Sequence, residues 1–173
     1  MTNYNIFFGI YCIERVINMK IKLTDLIIWI VTAELAGALS ALFSGGSFSA
    51  FYTALEKPPL SPPGWLFPVV WGVLYALMGA SAYLIRNSKS PRRKGALILY
   101  WSQLFFNFLW TPVFFGLRSL KGAAVIVILL LILIAAMVIS FYCINKTAAF
   151  LNIPYLLWTV FAAYLTIGIL ILQ

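Results

Sequence analysis

The chain has 173 residues, 64% of them hydrophobic and 9% charged, with a mean hydropathy of +1.01, a formal net charge of +8 and no histidine. That apolar content exceeds what a soluble domain of this size can bury, so the sequence reads as an integral membrane protein. The missing histidine removes the usual haem axial ligand, metal ligand and proton shuttle, and the basic residues are scattered at segment ends rather than massed as a nucleic-acid-binding face.

Taken in chain order, residues 1–22 form an N-terminal extension, interfacial or disordered. Its apolar run is short and is broken by Glu14 and Arg15. No basic region precedes that run and no small-x-small site follows it, which argues against a cleaved signal peptide; Met19 is an alternative opening of the core chain. Residues 23–173 then divide into apolar stretches of about 23–43, 64–85, 96–117, 122–144 and 149–172. Each has about the 20 residues that a helix needs to cross roughly 30 Å of hydrocarbon. Strand-style alternation is absent, so the expected fold is all-α, a five-transmembrane-helix bundle. The two cysteines, Cys12 and Cys143, lack metal-ligand spacing and read as free thiols; no metal site is expected.

With five spans, Arg15, Lys20, Lys22, Arg86, Lys89, Arg92, Arg93, Lys94 and Lys146 share one face, against Lys57, Arg118 and Lys121 on the other. The positive-inside rule therefore places the N-terminus in the cytoplasm and the C-terminus outside a cell membrane. Between spans one and two, "FSGGSFSAFYTALEKPPLSPP" mixes glycine, serine and aromatics and then stiffens in proline, the composition of a packed lid. Pro62 and Pro63 fix the entry into span two, although the same prolines serve equally to stop one helix and start another.

Helical spacing puts Pro68, Trp71, Tyr75 and Met78 on one face of span two. It does the same for Gln103, Asn107, Trp110 and Phe114 in span three, and for Pro154, Trp158, Phe161 and Leu165 in span five. Lipid-facing surfaces need only aliphatic side chains, as in span four, so an amide and mid-span tryptophans point to the bundle interior. Spacing alone fits an aromatic packing core or a ligand pocket. Glu34, inside span one, is a functional candidate or a carboxyl bonded to a neighbouring helix. Small-residue stripes at Ala33, Gly37, Ala41 and at Gly72, Ala76, Ala80 allow close helix packing, within one chain or between two.

The stretches "WLFPVVWGVLYALMG", "NFLWTPVFFG" and "PYLLWTVFAAYL", with "YTALEKPPLSPPGW" upstream, resemble the signatures of the TspO family, the tryptophan-rich sensory proteins related to the mitochondrial translocator protein. The resemblance runs from about residue 24 to the end in the same order and spacing. It implies five transmembrane helices, a homodimer, and a pocket roofed by the loop between helices one and two. It implies a tetrapyrrole such as protoporphyrin IX as ligand, with no cofactor. Carried over by position, Trp71 and Trp158 would face the tetrapyrrole. Tyr75, Trp110 and Asn107 would line the walls, Tyr52, Pro63 and Trp65 the lid, and Phe161 and the small Ala162 the fifth helix. Lys57 would meet a propionate or would fix the loop through Glu56.

This chain has Phe108 where the family often has tryptophan, and Thr166 where it often has asparagine. No basic residue follows Tyr164 in "AAYLTIGILILQ", so the sterol-recognition pattern of the animal proteins is absent and cholesterol binding is put in doubt. The resemblance implies a porphyrin receptor or sensor. The alternatives are light-dependent oxidative degradation of bound porphyrin, with Trp71 and Trp158 as redox-active neighbours, or porphyrin transport. No conventional enzyme is expected, because the chain lacks histidine and paired carboxylates; an inverted repeat of the transporter kind is also not evident.

Overall fold

The structure, a computed structural model, describes residues 23–43 and 48–173, and of 48–50 the backbone only. The expected N-terminal extension and Cys12 lie outside the described residues. Among those described, every regular element is helical: α1 Leu23–Leu42, α2 Phe48–Ala54, α3 Leu66–Arg86, α4 Arg93–Thr111, a π-helical turn Pro112–Gly116, α5 Leu120–Tyr142, α6 Lys146–Leu151 and α7 Ile153–Leu172. Five of these stretches are long and apolar enough to cross a membrane, the third being α4 with its π turn and the fifth α6 with α7.

Local chemistry explains where the helices begin and end. Pro62, Pro63 and Gly64 hold the chain out of helix until Leu66, whose N–H bonds the Pro63 carbonyl at 3.0 Å. Ser119 caps α5 by accepting from the Gly122 N–H, and Asn145 caps α6 by accepting from the Ala148 N–H. The fifth span starts earlier than the apolar run does, because α6 carries Lys146 and Thr147 into helix before the chain turns at Asn152. Pro112 cannot donate to the ladder, and the third span responds by widening into a π turn closed by the Leu117 N–H on the Pro112 carbonyl at 2.8 Å.

The bundle packs α1 on α3, α4 on α5 and α5 on α7, with α6 wedged against α3 and α5. The α1–α3 contact is a backbone approach. A Cβ on Gly79 would collide with the backbone of Trp29 and Ile30, and one on Gly37 would collide with the Tyr75 ring. Ala33 is fully buried in this seam, so the small-residue stripe of span one packs within the chain at Ala33 and Gly37, whereas Ala41 is exposed at the cavity. The stripe expected in span two behaves differently, since Gly72 faces open space and Gly79 makes the close approach instead. Tyr100, Ile134, Met137, Phe141 and Tyr155 fill the core toward the opposite end of the bundle from the loop.

Candidate functional site

Between α1, α3, the π turn and α7 lies a cavity of about 750 Å³. Its walls are aromatic: Phe67, Trp71 and Tyr75 from α3, Trp110 from α4, and Phe114 and Phe115 from the π turn. Trp110 and Phe114 stack at 5.0 Å with their planes 21° apart, while Trp71 tilts against Tyr75 at 5.5 Å and meets Tyr155 edge-on at 6.1 Å. The π turn contributes to this arrangement, because it brings both Phe114 and Phe115 inward as buried side chains one after the other.

Below the cavity four buried side chains form one polar chain. The Tyr75 hydroxyl donates to Asn107 Oδ1, Asn107 Nδ2 donates to the Tyr155 hydroxyl at 3.0 Å, and Tyr155 donates to Gln103 Oε1 at 2.8 Å. Buried polar groups at membrane depth need such partners, and here each supplies the next. A small void of about 10 Å³, close to the volume of one water, adjoins Trp71, Asn107, Trp110 and Thr159. The buried Nε1–H groups of Trp110 and Trp158 have no acceptor.

The loop over the cavity is held at several points. Lys57 Nζ donates to the carbonyls of Tyr52 at 2.8 Å and Leu55 at 3.0 Å, and lies 5.0 Å from the Tyr52 ring centre. The Tyr52 hydroxyl donates to the Pro62 carbonyl at 3.0 Å. Burial raises the Tyr52 phenol above its ordinary pKa, with a hydrogen bond to Ser61 opposing, so it remains protonated as a donor at neutral pH. On α7, Tyr164 donates to the Pro59 carbonyl at 2.9 Å, and Gly168 lies so close to Pro58 that a Cβ would stand 2.7 Å from its Cγ.

The structure brings together Tyr52, Trp65, Trp71, Tyr75, Trp110 and Ala162 on the cavity surface. It places the other expected residues elsewhere. Asn107 sits under the floor and reaches only the small void. Trp158 stands one layer back, edge-on to Phe67 at 6.1 Å and tilted on Phe161 at 5.5 Å, and neither Trp158 nor Phe161 lines the cavity. Pro63 is exposed beside the entry to α3, and Lys57 is engaged by backbone carbonyls.

Sequence reasoning left out Gly37, Ala38 and Ala41 of α1, Phe67 and Phe115, and Thr166 and Ile169 of α7 as wall residues. The signal for α7 was present: Ala162, Thr166 and Ile169 are also spaced as one helical face, and of the stripe that contains Trp158 only Leu165 joins them at the cavity.

A family model described as TspO/MBR family matches residues 29–172. Protein CrtK of Rhodobacter capsulatus is 34% identical to the chain over 150 residues, covering 86% of this chain and 92% of that protein. The translocator protein of Bos taurus is 37% identical over 135 residues, 76% of this chain and 80% of the relative. The tryptophan-rich protein TspO of Chlorobaculum tepidum is 36% identical over 139 residues, covering 76% and 88%.

Proposed function

Because this chain belongs to the TspO/MBR family, we propose that it is a membrane receptor that senses porphyrins, protoporphyrin IX among them, in the cavity beneath the loop between its first two spans. The observation that carries this reading is the cavity itself. Its volume of about 750 Å³ falls within the range of about 300–1,000 Å³ typical of small-molecule sites, and its lining is apolar with a few polar groups. Flat indole and phenyl faces suit a flat macrocycle that water dissolves poorly. The stapled loop supports a receptor as well, since a roof ordered before binding lowers the entropy lost on binding. The name of a relative from Cereibacter sphaeroides, a tryptophan-rich sensory protein, agrees with sensing.

The test is a titration of the purified protein in detergent with protoporphyrin IX, followed by tryptophan fluorescence. Saturable quenching is expected, and a flat titration overturns the reading.

One observation favours keeping photodegradation as a second reading. Trp71, whose indole is readily oxidised, lies on the cavity surface where a bound macrocycle would touch it. Illumination should then bleach the porphyrin Soret band faster with the protein than in empty detergent, and Trp71→Phe should slow that bleaching. Equal bleaching with and without protein removes this reading and leaves the receptor.

A further inference from the structure

The cavity wall carries one carboxyl group. Glu34 is the one charged side chain lining it among the described residues, and no lysine or arginine joins it there. It belongs to the α1 face that continues through Gly37, Ala38 and Ala41, and these small residues leave the carboxyl open to the space in front of Trp71 and Tyr75. No hydrogen bond or ion pair ties Glu34 to another described residue. Lys57, the nearest cation of the roof by sequence, is occupied by the carbonyls of Tyr52, Thr53 and Leu55.

A carboxyl inside a membrane span is costly to leave without a partner, and one that faces a cavity is a candidate contact for a substrate or an ion. Indole and phenol faces around the same space attract positive charge through their ring quadrupoles, tryptophan most strongly. Both features select one kind of molecule.

We propose that Glu34 makes this cavity a site for planar aromatic ligands bearing a cationic, hydrogen-donating nitrogen, with Glu34 as the anionic contact and Trp71 and Trp110 as the stacking walls. This rests on the reading of the cavity as a ligand site and extends it to the charge of the ligand. It also orients a dicarboxylic porphyrin, whose carboxylates are repelled by Glu34 and so lie toward the loop.

The experiment titrates the full chain in detergent at neutral pH with two probes: 9-aminoacridine, planar and singly protonated, and protoporphyrin IX dimethyl ester, planar and uncharged. Glu34→Gln should weaken 9-aminoacridine binding by roughly tenfold or more, through loss of a charge contact away from water, and leave the ester almost unchanged. A third probe, acridine, has the same planar ring system but is largely uncharged at neutral pH and should bind the wild-type protein roughly tenfold more weakly than 9-aminoacridine does; this comparison keeps the proposal testable if Glu34→Gln does not fold.

The proposal is overturned if wild-type protein does not bind 9-aminoacridine, if folded Glu34→Gln binds it as wild type does, if acridine binds the wild-type protein as tightly as 9-aminoacridine, or if Glu34→Gln weakens 9-aminoacridine and the ester equally. Glu34-dependent binding of 9-aminoacridine without any porphyrin binding would sustain this proposal and remove the porphyrin reading.

Discussion

At the scale of single residues, Asn107 and Trp71 show how side chains set the floor and the wall. Asn107 uses its oxygen for Tyr75 and its nitrogen for Tyr155, so a leucine of similar size would leave two buried hydroxyls each short of a partner. Asn107→Leu should lower stability in detergent by about 1–3 kcal/mol, the cost of buried polar groups left unsatisfied, read as a lower thermal melting midpoint. An unchanged midpoint would mean that the polar chain is dispensable for folding. Trp71 contributes surface rather than hydrogen bonding to the cavity. Trp71→Phe should therefore weaken protoporphyrin binding by about 0.5–1.5 kcal/mol, the size of an aromatic pair contribution, measured by the same fluorescence titration. Loss of all binding would give Trp71 a role beyond stacking.

At the scale of elements, the sequence resolved the five spans well because each is a long apolar run closed by prolines, glycines or charges. The break in the α-helical ladder at Pro112 was likewise foreseeable from its missing N–H. The candidate wall was legible only in part. Trp71, Tyr75, Trp110 and Phe114 lie where helical spacing puts them, but Met78 and Gln103 of the same stripes pass below the cavity into the core. On α7 the bulky stripe through Trp158 reaches the cavity only at Leu165, and the close seating of Pro58 on Gly168 accompanies a neighbouring face of smaller residues turned to it.

Such rotations depend on which helix pairs touch, and one chain's periodicity does not carry that information. The loop gives the sharpest test at this scale. If Lys57 serves as a clip on three carbonyls, Lys57→Met should weaken protoporphyrin and its dimethyl ester to the same degree, by loosening the roof. A loss confined to the dicarboxylic acid would instead make Lys57 a propionate partner.

At the scale of the whole molecule, the arrangement of charge and of polar packing gives the two ends of the bundle different characters. At one end Arg86, Lys89, Arg92, Arg93 and Lys94 crowd the α3–α4 turn, where Arg93 donates to the carbonyls of Arg86 at 3.1 Å and Ser88 at 3.3 Å. The α5–α6 turn lies at the same end, because Asn152 beside α6 donates to Ser81 of α3 at 2.8 Å. At the other end stand the loop and the cavity, with Lys57, Arg118 and Lys121.

If the first end faces the cytoplasm, as the positive-inside rule predicts, the cavity opens toward the outer half of the membrane. Cys143 reports on this directly, since it caps α5 at the basic end and is exposed. With Cys12→Ser leaving a single thiol, a membrane-impermeant maleimide should label Cys143 in inside-out vesicles and not in right-side-out ones. The reverse pattern would invert the topology, and with it the side of the membrane from which a porphyrin or an aromatic cation reaches Glu34.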